Sequence, residues 1–297
     1  MSKIQDALRK IKAQSPVTAA VDRPKADVGR ESAGTIVGEH DESGIRSQAG
    51  DGDLVMVNRD RLRLSGYLAP DEQRHHLAEQ FRILKRPLLD NAAGRGAHMG
   101  EDANLIMVTS ALPGDGKTFN CINLALSMAI EKDVSVLLVD ADVAKPHVSG
   151  LFEIDDMPGL TDLLKDKSIE VNEVVMRTDI PGLSILPAGH PDEHATELLA
   201  SRRMGQVIDV LSGCNPDRVV LFDSPPLLST SESRVLASFM GQIAMVVCAG
   251  KTPQQAVLEA LECIDDSKAI SLILNQSAWG LGSAGYGAYR YGYGSNR

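Results

Sequence analysis

The chain has 297 residues, 43% of them hydrophobic, enough for one large domain with extensions. Its 40 acidic residues against 30 basic ones give a formal net charge of −10, which argues against the broad basic surface that binding to nucleic-acid backbones requires. Four scattered cysteines, Cys121, Cys214, Cys248 and Cys263, show no C-x-x-C spacing and read as buried, reduced thiols rather than a disulfide framework or metal site; no apolar run reaches the ~18 residues of a membrane span, and the first residues lack a signal-peptide core.

In residues 1–14, Ile4, Ala7, Leu8 and Ile11 share one helical face, with Lys3, Arg9, Lys10 and Lys12 around it. That pattern predicts a short amphipathic helix that needs a partner or membrane surface to be stable. Residues 15–57 are polar and rich in Gly, Ser, Asp and Ala, the composition of a disordered linker. A helical segment is expected over 58–90, with a helix start within it at Pro70-Asp71-Glu72 and Leu77, Phe81, Leu84 and Leu88 at helical spacing until Pro87 interferes with the regularity. Glu79, Arg82 and Lys85 recur there every three residues, which places them on adjoining parts of one surface.

Residues 91–278 read as one domain. An apolar strand at 104–108 leads into Ala111-Leu-Pro-Gly-Asp-Gly-Lys-Thr118, a helix follows, and a second strand at 134–139 ends in Asp140-Ala-Asp142. The chemistry is that of a phosphate loop. Gly114 and Gly116 let the backbone curl so that its N–H groups and a helix N-terminus face phosphate oxygens; Lys117 adds a positive charge and Thr118 a hydroxyl ligand for Mg²⁺. Ala111, Pro113, Asp115 and Phe119 complete the nucleotide-binding stretch. Further strands are expected at 183–186, 219–222, 243–247 and 272–274, and helices near 160–166, 194–212, 231–240 and 253–266. Alternating elements with near-continuous apolar strands predict a doubly wound α/β fold of the P-loop NTPase kind, its sheet mainly parallel and its ligand outside the carboxyl ends of the strands.

Asp223-Ser-Pro-Pro226 closes the strand at 219–222 and puts Asp223 where a Walker B carboxylate reaches Mg²⁺. Asn275, after the last strand, is placed for an adenine contact. The histidines complete no metal-ligand pattern. Residues 279–297 form a glycine-rich tail with four of the five tyrosines, Tyr286, Tyr289, Tyr291 and Tyr293. About 16 flexible residues beyond Leu274 span roughly 20–24 Å, enough to bring such a tail to the active site of a neighbouring subunit.

The phosphate loop, Val139-Asp-Ala-Asp-Val-Ala-Lys-Pro146 and Asp223-Ser-Pro-Pro226 together resemble the bacterial tyrosine kinases of polysaccharide export. The likeness extends through Gly159-Leu-Thr-Asp-Leu-Leu164, Leu186-Pro-Ala-Gly189 and Glu197-Leu-Leu199; the opening residues and the 79–89 run look most like the free-standing autokinases associated with exosortase (XrtA). The resemblance implies an ATP- and Mg²⁺-dependent tyrosine autokinase that phosphorylates its tail tyrosines in trans and regulates exopolysaccharide polymerisation. It implies Lys117 on the phosphates, Thr118, Asp142 and Asp223 around Mg²⁺, and Asp140 as acceptor of the tyrosine proton. It further implies a ring-like homo-oligomer with Glu79, Arg82 and Lys85 at subunit contacts, a membrane polysaccharide co-polymerase (chain-length determinant) as partner, a tyrosine phosphatase, and a cytoplasmic location at the inner membrane face through that partner. The family often has Arg where this chain has Lys85 and Ala144. Two other readings share the motifs: a MinD/ParA-like ATPase switch, whose signature lysine is replaced here by Leu112, and an ATP-binding interaction module without kinase activity.

Overall fold

The computed structural model describes residues 20–21, 54–69, 76–96, 102–213 and 217–277. The amphipathic helix expected at 1–14, the helix start at Pro70, Cys214 and the tail tyrosines lie outside them.

The strands are β1 (Ala20–Val21), β2 (Leu54–Val55), β3 (Leu105–Ser110), β4 (Ser135–Asp140), β5 (Met176–Thr178), β6 (Leu183–Leu186), β7 (Arg218–Asp223), β8 (Gln242–Cys248) and β9 (Ala269–Asn275). They form one sheet in the order β1-β9-β8-β3-β7-β4-β6-β5-β2. Every pairing is parallel except that of β5 with β6. The helices are α1 (Arg59–Leu64), α2 (His76–Ala92), α3 (Lys117–Ala129), α4 (His147–Leu151), α5 (Leu160–Lys165), α6 (Val171–Val174), α7 (Ala195–Leu199), α8 (Arg202–Gly213), α9 (Ser231–Phe239) and α10 (Gln254–Leu261).

Strand pleating decides how the core is divided. Successive side chains point to opposite faces, so Ile106 and Val108 join Val136 and Leu138 under α2 and α3, while Leu105 and Met107 join Leu137 and Val139 under α8 and α9. Both faces are therefore apolar along the whole strand, which is why β3 is buried at all six positions and why it reads as a continuous apolar run. Between the sheet and α2, helix α3 is buried at every residue except Thr118.

Four sequence expectations are corrected. Residues 54–57 do not belong to the linker: β2 pairs with β5, and Val57 N–H donates to Asp179 Oδ1 at 2.9 Å while Arg59 bridges Asp179 at 2.7 Å. These contacts are distant in sequence and leave no local pattern. Pro87 does not end its helix, which runs on to Ala92; the backbone bond it forfeits is to the carbonyl of Ile83, a residue 55% exposed, where water can replace the donor. The stretch at 194–212 is two helices, α7 and α8, separated at residues 200–201.

Lys85 leaves the surface it was expected to share with Glu79 and Arg82. Those two form an exposed ion pair at 2.8 Å, whereas the Lys85 side chain is buried, pairs with Glu131 at 2.8 Å and donates to the Ser127 carbonyl of α3. At 100° per residue, two steps of three turn the helix 120° away from the starting direction, enough to carry Lys85 inward.

Candidate active site

Adjacent parallel strands β3, β7 and β4 bring their carboxyl ends to one rim. The register pairs Asp140 directly with Asp223, and Val108 with the same aspartate. Two carboxylates thus stand on neighbouring strands beside the loop that follows β3.

The loop's shape requires glycine. Gly114 and Gly116 have φ of +86° and +94°, and a Cβ on Gly116 would lie 2.0 Å from Asn275 Nδ2; left-handed backbone disfavours any other residue, and at Gly116 there is no room for one. Three neighbours hold Asp115 in place, none of them evident from the motif. Thr252 Oγ1 donates to Asp115 Oδ1 at 2.6 Å, Leu112 N–H to Oδ2 at 3.3 Å, and Asn275 Nδ2 to the Asp115 carbonyl at 2.8 Å. Asn275 is 1% exposed and its Oδ1 accepts from Gln276 N–H at 3.0 Å. The side chain expected to read adenine therefore braces the phosphate loop. The Phe119 ring packs in the core at 5.3 Å from that of Tyr67 and 6.4 Å from that of Phe81. Only its backbone lies in the first turn of α3. Pro113 and Gly114 form the exposed tip of the loop.

The reactive groups are tightly tied. Lys117 Nζ sits 2.6 Å from Asp142 Oδ2 and 4.0 Å from Asp223 Oδ1, and Thr118 Oγ1 donates to Asp223 Oδ2 at 2.7 Å. Asp140 Oδ2 accepts from both the N–H and the hydroxyl of Ser149, each at 2.8 Å. Burial, then the charge of Asp223, pushes the Asp140 carboxyl up to about 7, although the Ser149 hydrogen bonds pull it down. Asp223 is pushed up to about 6 by burial, against the pull of Lys117 and Thr118. Burial works against the charge on Lys117, but Asp223 and Asp142 outweigh it and raise its pKa. Neighbouring Cys121 is raised well above the usual thiol range by burial. Of the other thiols, Cys248 is buried and free and Cys263 is free and half-buried.

This donor set fits a nucleotide phosphate with a hard cation. The N-terminus of α3 begins at Gly116 with no side-chain cap, so its first-turn donors and dipole suit an anion. Asp140 Oδ1 and Asp223 Oδ1 are buried acceptors without a hydrogen-bond partner, and such atoms are costly unless a cation, water or hydroxyl meets them. No cluster of three acidic, histidine or cysteine side chains among the described residues forms a metal cage. Mg²⁺ would thus take Thr118 and a carboxylate from the protein and complete its shell with phosphate and water oxygens.

A family model described as an AAA domain matches residues 103–254, half of the chain. Tyrosine-protein kinase YwqD of Bacillus subtilis is 29% identical over 73% of this chain and 89% of its own. The crystal structure of the VpsO kinase domain matches with a TM-score of 0.53 and 32% identity over 68% of this chain and 100% of that one. The chain belongs to the bacterial tyrosine kinases of the AAA-domain family. Tyrosine-protein kinase etk of Escherichia coli K12 is 28% identical over 70% of this chain but 27% of its own length, so this kinase spans most of one relative and about a quarter of another.

Within the kinase, every residue expected at the phosphates and carboxylates, Lys117, Thr118, Asp140, Asp142 and Asp223, meets at this rim. Thr252 is the addition that sequence reading missed. Its signal is a threonine just beyond a strand neighbouring the phosphate loop, which becomes meaningful only once β8 is known to lie beside β3. Thr252→Val leaves the Asp115 carboxylate short of its 2.6 Å donor. The expected result is a roughly fivefold to tenfold rise in KM for ATP with little change in kcat, read from initial rates against ATP concentration.

Proposed function

We propose that this chain is an ATP- and Mg²⁺-dependent tyrosine autokinase that phosphorylates Tyr286, Tyr289, Tyr291 and Tyr293 of a second copy, and that the modification regulates exopolysaccharide polymerisation and export. The observation carrying this reading is the position of the last strand: β9 ends at Asn275, whose own side chain bonds the phosphate loop. The chain that follows therefore starts at the nucleotide rim. Tyr286 and Tyr293 come 11 and 18 residues after Asn275, within at most about 40 and 65 Å of extended backbone. Tethering in an assembly supplies an effective concentration on the order of mM, so weak recognition of each tyrosine suffices.

The residues divide the chemistry. Lys117 and the loop amides neutralise and orient the phosphates; Thr118, Asp142 and Asp223 hold the metal directly or through water, and Asp142 also fixes Lys117. Mg²⁺, when bound with ATP, supplies charge stabilisation at the transferring phosphoryl group. Asp140 accepts the phenol proton as the phenol oxygen bonds the γ-phosphorus and the bond to the β–γ bridging oxygen breaks, releasing ADP. Glu79 and Arg82, exposed on α2, serve subunit contact in a ring of copies; Lys85 supports it from within. A membrane polysaccharide co-polymerase recruits the kinase to the inner membrane face, and a tyrosine phosphatase resets it.

The test mixes two full-length proteins with γ-labelled ATP and Mg²⁺. One is Lys117→Met with its tail intact, the other an active chain with the four tail tyrosines changed to phenylalanine. Label on the tail of the Lys117→Met chain is expected. Free phosphate with no labelled tyrosine would identify an ATPase switch instead.

A further inference from the structure

We propose that Ser149, which lies outside every motif of the nucleotide site, is the positioning residue for Asp140 and decides which carboxylate oxygen is left unbonded to accept the substrate hydroxyl. The inference rests on the reading of Asp140 as the proton acceptor.

Ser149 is 1% exposed and sits in α4, directly after the acid-pair loop. Its N–H and its hydroxyl both reach Asp140 Oδ2 at 2.8 Å. The hydroxyl oxygen also accepts the N–H of Ala188 at 3.1 Å. A serine hydroxyl has a single proton. With Ala188 supplying the donor on the other side, that proton is directed at Asp140. Ala188 is itself fixed, because the Thr161 N–H donates to its carbonyl at 2.9 Å, so the clamp is anchored to the segment after β6, the strand beside β4.

The consequence is asymmetry between two chemically equivalent oxygens. Oδ2 already receives two donors from Ser149, whereas Oδ1 is buried without a hydrogen-bond partner. A carboxyl group turns about its last torsion in a broad, two-fold well, and two donors from one residue remove that freedom. Oδ1 is left as the acceptor for an incoming phenol, and its direction is set by Ser149. Sequence offers no sign of this, since the residue is an ordinary serine nine positions after the aspartate.

Steady-state autophosphorylation of the full chain at varied ATP tests the assignment, comparing wild type, Ser149→Ala, Ser149→Thr, Asp140→Asn and the Ser149→Ala/Asp140→Asn double variant. Ser149→Ala is expected to lower kcat about tenfold and to keep KM for ATP within about twofold. Ser149→Thr, which retains the hydroxyl, should recover most of the rate. The double variant should be no slower than Asp140→Asn, because the serine acts only through the carboxylate. A wild-type kcat in Ser149→Ala, a loss confined to KM, or full additivity in the double variant would each overturn the proposal. A wild-type rate in Asp140→Asn alone would instead remove the underlying reading of Asp140.

Discussion

Changing Lys117 to methionine will lower tyrosine autophosphorylation by at least about a hundredfold, the scale at which removing one buried, preorganised charge from a transition state acts. The side chain lies 2.6 Å from Asp142 and 4.0 Å from Asp223, and both neighbours raise its pKa despite burial, so it stays charged throughout the working pH range. Methionine keeps an unbranched apolar stem of similar length and loses only the ammonium. The substitution also strands Asp142, whose side chain is 8% exposed, and breaking such a pair is destabilising. For that reason the rate must be read beside a melting curve. Label incorporation within tenfold of wild type, in a protein that is folded at the assay temperature, would contradict the assigned role.

Asp140→Asn is expected to separate activity from stability. The rate of phosphotransfer should fall about 10²-fold to 10⁴-fold, the range for loss of a positioned base. Stability of the nucleotide-free and metal-free protein should move the other way. Burial and the neighbouring Asp223 raise Asp140 from the ordinary 3.8 to about 7, so between those values the folded state binds its proton more tightly than the unfolded state does. Stability from this group is therefore fully present below pH ~4 and is lost as pH rises toward 7. Asp223, raised to about 6, acts in the same direction. Asparagine mimics the protonated carboxyl: its carbonyl can take both Ser149 donors, and it carries no charge at any pH. Denaturant melts should thus show the variant more stable than wild type by roughly 2–4 kcal/mol at pH 8, with the difference nearly gone at pH 4. A variant less stable than wild type at pH 8 would mean that the buried charge is compensated by a contact other than those described.

Much of the site was legible in the sequence because its parts are contiguous. A strand, six loop residues and a helix start must follow one another for backbone amides to converge on phosphate, so 111–118 announces itself. Asp140 and Asp223 were legible for a related reason: each ends an apolar strand, and parallel strands deliver their carboxyl ends to one rim. The same local logic misses a contact at Asn275, whose position after the last strand suggested only a base contact. The missed contact is to the Asp115 carbonyl at 2.8 Å, fixed by β9 packing beside β8 and not by anything near residue 275 in sequence. Lys85 shows the failure on a helix. Spacing by three suggested a shared face, but whether a residue drifting round the helix ends in water or against α3 depends on what lies alongside.

The linear order of residues was thus enough to determine the parallel α/β class, the phosphate loop with its two required glycines, and the aspartates of the nucleotide rim, because each is written within a few residues of continuous chain. Strand order, with β7 set between β3 and β4, was decided only in three dimensions. So were the braces of Thr252 and Asn275 on the loop, and the grip of Ser149 on one oxygen of Asp140. Their bonds join residues as far as 160 positions apart. Hydrogen bonds of that kind depend on placement to within a few tenths of an ångström, which packing of the whole domain supplies and no local propensity encodes.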